Sequence, residues 1–213
     1  MPKRSSSSSP KAVKPSNKPN QLRIIGGQWR GRKLAIADVD GLRPTGDRIR
    51  ETLFNWLQGD IVERHCVDLF AGSGALGLEC LSRGAANVFL LEKHPAAVRQ
   101  LRQHCERLDA SNSKVIECDV LEWIESASKD TGRNIAPIDI AFVDPPFAAN
   151  LWATVIDKLE NSGLLSPAAI IYIESPKEQL ITTPSHWELI KEKRTGQVCY
   201  RLFQRHYIDH EKL

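Results

Sequence analysis

From His65 onward, short apolar runs alternate with segments whose apolar residues recur at helical spacing. The runs at 65–69, 87–91, 114–118, 138–143 and 168–174 predict strands. Segments at 75–83, 95–108, 120–127 and 150–161 lie between them and predict helices. Such alternation predicts a mostly parallel sheet with helices on both faces, because each parallel pair needs a crossover. Beyond it, 186–193 and 197–204 flank Thr195-Gly196 and predict an antiparallel hairpin closing the sheet edge.

The pattern upstream is different. Residues 22–25 read as a strand, Gly26-Gly27 as its break, and 28–34 as a return strand or loop with Arg30, Arg32 and Lys33 around Trp29. A helix is predicted over 47–58, with Thr45 or Asp47 as its cap. Ile49, Leu53, Trp56 and Leu57 share one of its faces, and Arg48, Glu51 and Asn55 the opposite one. Residues 1–20 are Ser-, Lys- and Pro-rich with almost no apolar side chains, so they read as a flexible basic arm. The expected organisation is a tail over 1–20, a small β/helix extension over 21–60, and the alternating domain over 61–213.

Composition narrows the class. The 213 residues are 41% hydrophobic and 26% charged, ordinary for a soluble globular chain. No apolar run approaches a membrane span, and the start has no secretory h-region, so a cytoplasmic protein is expected. The five cysteines form no C-x-x-C pair and the six histidines no metal-ligand spacing, which points to reduced thiols and no metal. Charge is uneven: residues 1–50 hold twelve Lys/Arg against three Asp, while the rest holds seventeen against twenty-three acids. A basic end on an otherwise acidic chain suits a polyanion, and cations beside an aromatic ring suit RNA.

Two stretches carry candidate chemistry. Asp68-Leu69-Phe70-Ala71-Gly72-Ser73-Gly74-Ala75-Leu76-Gly77 follows the first strand of the alternating region and fits G-x-G-x-x-G. Those glycines allow a tight turn and close approach of a ligand to a helix N-terminus. Asp68 would face a pyrophosphate unfavourably but would welcome a cationic cofactor. Glu92 ends the second strand, where a carboxylate can grip ribose hydroxyls, and Asp119-Val120 ends the third, where an acid can meet an adenine amino group. The fourth strand ends in Asp144-Pro145-Pro146-Phe147. The prolines hold the backbone extended, so the Asp144 carboxylate and the adjacent carbonyl form two fixed acceptors beside a stacking ring. That set suits an exocyclic amino group on a nucleobase.

The order of these motifs resembles the class I S-adenosylmethionine-dependent methyltransferases. With Arg23 to Lys33, Arg43-Pro44-Thr45 to Asn55 and Ile171-Tyr172-Ile173-Glu174, it resembles more closely the bacterial RsmD family of 16S ribosomal RNA guanine-N2 methyltransferases. The resemblance implies an α/β Rossmann-like fold with a mostly parallel seven-stranded sheet. It implies S-adenosyl-L-methionine bound by Asp68, Phe70, Gly72, Gly74, Glu92, Asp119, Val120 and Asp144, and catalysis by Asp144, Pro145 and Phe147. RNA contacts are implied for Arg23, Arg30, Arg32, Lys33 and Arg43, with Thr45, Arg48, Glu51 and Asn55 bordering the target pocket. The partner would be 16S rRNA in the small subunit or an assembly intermediate, presented by ribosomal proteins to a monomeric enzyme.

Three rivals share parts of the pattern. A DNA adenine or cytosine amino-methyltransferase would need a larger recognition domain than about forty folded residues outside the core. A dinucleotide oxidoreductase is disfavoured by Asp68. A non-catalytic assembly factor on the same fold would not need an intact Asp144-Pro145-Pro146-Phe147.

Overall fold

The computed structural model describes residues 21–36, 46–129 and 135–206. The tail over 1–20, and Arg43 and Thr45 with it, lie outside the described residues. Strands β3 (His65–Asp68), β4 (Asn87–Glu92), β5 (Ser113–Glu117), β6 (Ile138–Val143), β7 (Leu165–Pro176), β8 (Trp187–Thr195) and β9 (Val198–Arg205) form one sheet in the order β5-β4-β3-β6-β7-β9-β8. The first five of these run parallel, and β8 and β9 add antiparallel strands at one edge, with β9 inserted against β7. Strand order reverses direction at β3, which pairs with both β4 and β6. Open α/β sheets bind ligands in the crevice at such a switch point.

Helices α2 (Gly77–Ser82) and α3 (Pro95–Leu108) contribute to the core on one face, and α4 (Val120–Lys129) and α5 (Trp152–Asn161) to the core on the other. The extension consists of β1 (Gln21–Arg23) paired antiparallel with β2 (Lys33–Ala35), followed by α1 (Asp47–Trp56). It shares the first of those cores: Leu22, Ile24, Trp29, Leu34, Ile49, Leu53 and Phe54 pack with Phe142, Tyr172 and Tyr200 of the sheet. Trp29 is therefore a core residue: its ring joins Leu22, Ile24 and Leu34 in docking the hairpin against the sheet. It cannot offer a stacking platform to RNA.

The predicted faces of α1 are observed: Arg48, Glu51 and Asn55 are exposed, and Ile49, Leu53 and Leu57 buried. The cap differs. Gly46 occupies the N-cap without a side-chain bond, while Asp47 turns to Arg50 at 2.6 Å. Arg50 is itself buried and donates to the Arg23 carbonyl at 3.0 Å, tying helix to hairpin.

The extension is fastened to α2 by polar groups. Glu79, 1% exposed, accepts the backbone N–H groups of Ile25 and Gly26 at 2.8 and 2.7 Å, and the Arg83 guanidinium at 2.7 Å. Ser82 Oγ donates to the Gly26 carbonyl and accepts Trp29 N–H. Gly27 has φ +72°, and a Cβ there would lie 1.7 Å from the Ser82 carbonyl oxygen.

At the other edge, Glu160 of α5 accepts Arg205 through both oxygens at 2.8 and 2.9 Å, and Trp187 Nε1 at 2.8 Å. Burial works against the Glu160 charge, but Arg205, Trp187 and His186 outweigh it and bring its pKa down to about 2. A depressed carboxylate stabilises the fold above its unfolded pKa, and that stability disappears as pH falls toward the folded value. Glu160→Gln is therefore expected to cost about 2 kcal/mol at pH 7. In denaturant titrations the gap from wild type should shrink between about pH 4.5 and about pH 2. A gap independent of pH would contradict this.

Candidate active site

The rim at the C-terminal ends of the parallel strands gathers the acids in sequence. Asp68 ends β3 and is 2% exposed; its Oδ2 accepts Gly77 N–H at 3.0 Å, arching the glycine loop over the strand end. Burial is the main reason its pKa rises to about 7, with Glu92 adding to the effect and the Gly77 and Phe70 N–H groups opposing it. The glycines are required by shape. Gly72 and Gly74 have φ of 52° and 81°, and a Cβ on Gly77 would lie 2.2 Å from Leu90.

Glu92, at the end of β4, accepts Gly72 N–H at 2.8 Å through Oε2 and His94 N–H at 2.7 Å through Oε1. Each oxygen retains a lone pair for a ligand hydroxyl. Asp119 follows β5, accepting Leu121 N–H at the start of α4 and Lys93 Nζ, both at 2.9 Å. The Lys93 hydrogen bond is the first cause that holds Asp119 below the usual carboxylate range. Val120 is buried beneath it, and Phe70 is half-buried against the core that includes Val120 and Trp123. The loop backbone, with Glu92 and Asp119 on adjacent strands, forms a cradle with acids spaced along it. It fits an adenosyl group bearing hydroxyls, an amino group and a cationic sulfur.

Asp144 stands one residue beyond β6, half-buried. Pro145 is buried, and Pro146 has φ −52° and ψ 124°, carrying the chain outward into the short turn Phe147–Ala149. Phe147 is 41% exposed, which leaves a face of its ring open at the surface. The buried Trp152 supports it, with ring centroids 5.9 Å apart, and Trp152 Nε1 donates to the Glu174 carbonyl at 2.8 Å. The register that pairs Asp68 with Phe142 brings the cofactor cradle and this motif to the same switch point.

Sequence reasoning assigned no part to Trp152 or Lys93. An apolar position on a helix gives no hint that Trp152 backs the Phe147 ring, and nothing local to Lys93 points to Asp119, 26 residues away. The Tyr172-x-Glu174 spacing on a strand was the one available signal for a further pair facing the same way. Arg23, Arg30, Arg32 and Lys33 are all exposed. Arg23 and Lys33 are direct cross-strand partners in the β1–β2 register. Among the described residues, no group of three or more His, Cys, Asp or Glu could hold a metal ion, and no helix is long and apolar enough to cross a membrane.

A family model described as conserved hypothetical protein 95 matches residues 22–204. Ribosomal RNA small subunit methyltransferase D of Escherichia coli K12 is 51% identical over 186 residues, covering 87% of this chain and 90% of that protein. The solved structure of yhhF, a proposed methyltransferase from Escherichia coli, matches with a TM-score of 0.78 at 48% identity, covering 89% of this chain and 100% of that one. A more distant proposed methyltransferase, solved with SAH, is 14% identical with a TM-score of 0.68 over 90% of this chain and 58% of that one, and shares the fold. The resemblance that the motifs carry and the predicted fold class are both borne out. The chain belongs to the ribosomal RNA small subunit methyltransferase D family.

Proposed function

We propose that this chain transfers a methyl group from S-adenosylmethionine to the exocyclic N2 of a guanine in 16S rRNA of the small ribosomal subunit. The observation that carries this is Asp144-Pro145-Pro146-Phe147 standing at the switch point beside the acidic cofactor cradle. When bound, the sulfonium supplies an already activated methyl group, so the residues of this chain have only to prepare the nucleophile. The guanine N2 lone pair is delocalised into the ring and is poorly nucleophilic. Accepting its two N–H bonds at the Asp144 carboxylate and the Pro145 carbonyl favours pyramidalisation and aims the lone pair. The surplus N2 proton leaves after transfer, through Asp144 or to water. Phe147 stacks on the base once it has left its neighbours. Orientation and preorganised acceptors together lower the barrier by several kcal/mol.

Asp68, Phe70, Gly72, Gly74, Glu92, Asp119, Val120 and Asp144 would hold the cofactor. Arg23, Arg30, Arg32 and Lys33 would meet phosphates, and Arg48, Glu51 and Asn55 would border the base. Support comes from the hairpin: like charges directly opposite across strands are destabilising, so Arg23 opposite Lys33 makes sense against a polyanion. We assign the extension over 21–60 to RNA binding and residues 61–213 to methyl transfer by a monomer. Labelled methyl supplied to small subunits, naked 16S rRNA and duplex DNA tests the reading; subunits should be labelled, and label on DNA alone would overturn it.

Asp68 adds a pH signature. With a pKa of about 7, it is protonated in mildly acidic buffer, whereas a cationic ligand group favours the carboxylate. Cofactor affinity should therefore rise with pH up to about 7 and then level off, with proton release on binding below that point. Calorimetry in buffers of different ionisation enthalpy measures the released proton, which should vanish in Asp68→Asn. Buffer-independent heats in wild type would remove Asp68 from this role.

A further inference from the structure

Glu174 has no part in the scheme above, yet the sheet brings it to the same place as Asp144. Val143 of β6 pairs with Ile173 of β7, so the next residues, Asp144 and Glu174, leave neighbouring strand ends at the same level. They also face the same way. Phe142 packs on Phe54 of α1 and on Tyr172, and side chains two residues on along a strand project to the same face. Tyr172 senses both carboxylates: burial first, then Glu174 and Asp144, hold its phenol well above the ordinary value. Parallel neighbours stand about 4.8 Å apart, close enough for two carboxyl groups to engage adjacent atoms of one flat ligand.

Glu174 is 5% exposed, and burial raises its pKa while the Tyr172 hydroxyl, donating to Oε2 at 2.7 Å, partly offsets this. Among the described residues Oε1 takes no hydrogen bond. A buried acid beside a second carboxylate is costly unless donors come between them. On the guanine reading above, the base supplies them: N1–H and the two N2–H bonds lie side by side on one edge, three donors in a row.

We propose that Glu174 is a specificity-determining residue that accepts the guanine N1–H while Asp144 and the Pro145 carbonyl accept the N2 hydrogens. Tyr172 orients it through Oε2 and leaves Oε1 for the base. Adenine, whose N1 is an acceptor, would set a lone pair against that oxygen.

The test replaces the target guanine in reconstituted small subunits with 2,6-diaminopurine, which keeps the 2-amino group but turns N1 into an acceptor. Wild type should methylate the guanine particle about 10–100-fold faster in kcat/KM, because a site built around a donor rejects an analogue lacking it. In Glu174→Gln the amide can donate to the new acceptor, so the ratio should fall to about one or invert. Circular dichroism and cofactor binding verify that the variant is folded; should it fail to fold, the wild-type ratio decides alone. Equal wild-type rates, or a folded Glu174→Gln that keeps the wild-type preference, would overturn the assignment. Failure of wild type to methylate the guanine particle would instead overturn the guanine reading on which it rests.

Discussion

Asp144→Ala is expected to lower methyl transfer to small-subunit rRNA by about three orders of magnitude while S-adenosylmethionine binding falls far less. The asymmetry follows from position. Asp144 leaves the end of β6 on the face covered by α1, whereas the loop and Glu92 proposed to cradle the cofactor belong to β3 and β4. Removing the carboxylate removes one of two acceptors that aim the amino group, with Pro145 and Phe147 still in place. Asp144→Asn retains one acceptor oxygen and should keep more activity than alanine. Single-turnover rates and cofactor titrations on the same preparations check both halves. Loss of cofactor affinity in proportion to loss of rate would make Asp144 a cofactor ligand first.

The second large effect concerns stability. Glu79→Ala should destabilise the protein by about 3–5 kcal/mol, because two backbone N–H groups and the Arg83 guanidinium lose their shared acceptor. For a domain of this size that corresponds to about 10 °C in Tm. Arg83 also lies 5.0 Å above the Phe54 ring, so its displacement loosens α1. Below the new midpoint, the hairpin bearing Arg23, Arg30, Arg32 and Lys33 loses its fixed seat. RNA affinity should then drop and its salt dependence flatten. Gly27→Ala should act on the same contact from the other side, since its Cβ would meet the Ser82 carbonyl. Scanning calorimetry and filter binding at several salt concentrations measure the two effects. An unchanged Tm in Glu79→Ala would show that the hairpin is held by its apolar contacts alone.

The parallel sheet was legible because most of its strands carry apolar runs and helical spacing recurs between them, although β5 is apolar at Val115 and Ile116 alone. The predicted 95–108 coincides with α3, and 138–143 with β6. The acids at the strand ends were equally visible, since a carboxylate breaking an apolar run marks where the strand meets the rim. What depended on distant partners was not visible. Trp29 beside three cations reads as a stacking ring until Ser82, 53 residues away, is seen to hold its backbone N–H in a buried site. Arg50 and Glu79 are buried, and the hairpin groups they bind lie 27 and 53–54 residues away, beyond any helical pattern. The side-by-side placement of Asp144 and Glu174 depends on β6 pairing with β7, which no local pattern encodes.

The most direct test of the whole account is the identity of the methylated nucleoside. Small subunits from cells lacking this protein would be incubated with it and labelled S-adenosylmethionine, and the rRNA digested for mass spectrometry. The account predicts N2-methylguanosine as the one labelled product. Label in N6-methyladenosine or N4-methylcytosine would contradict it.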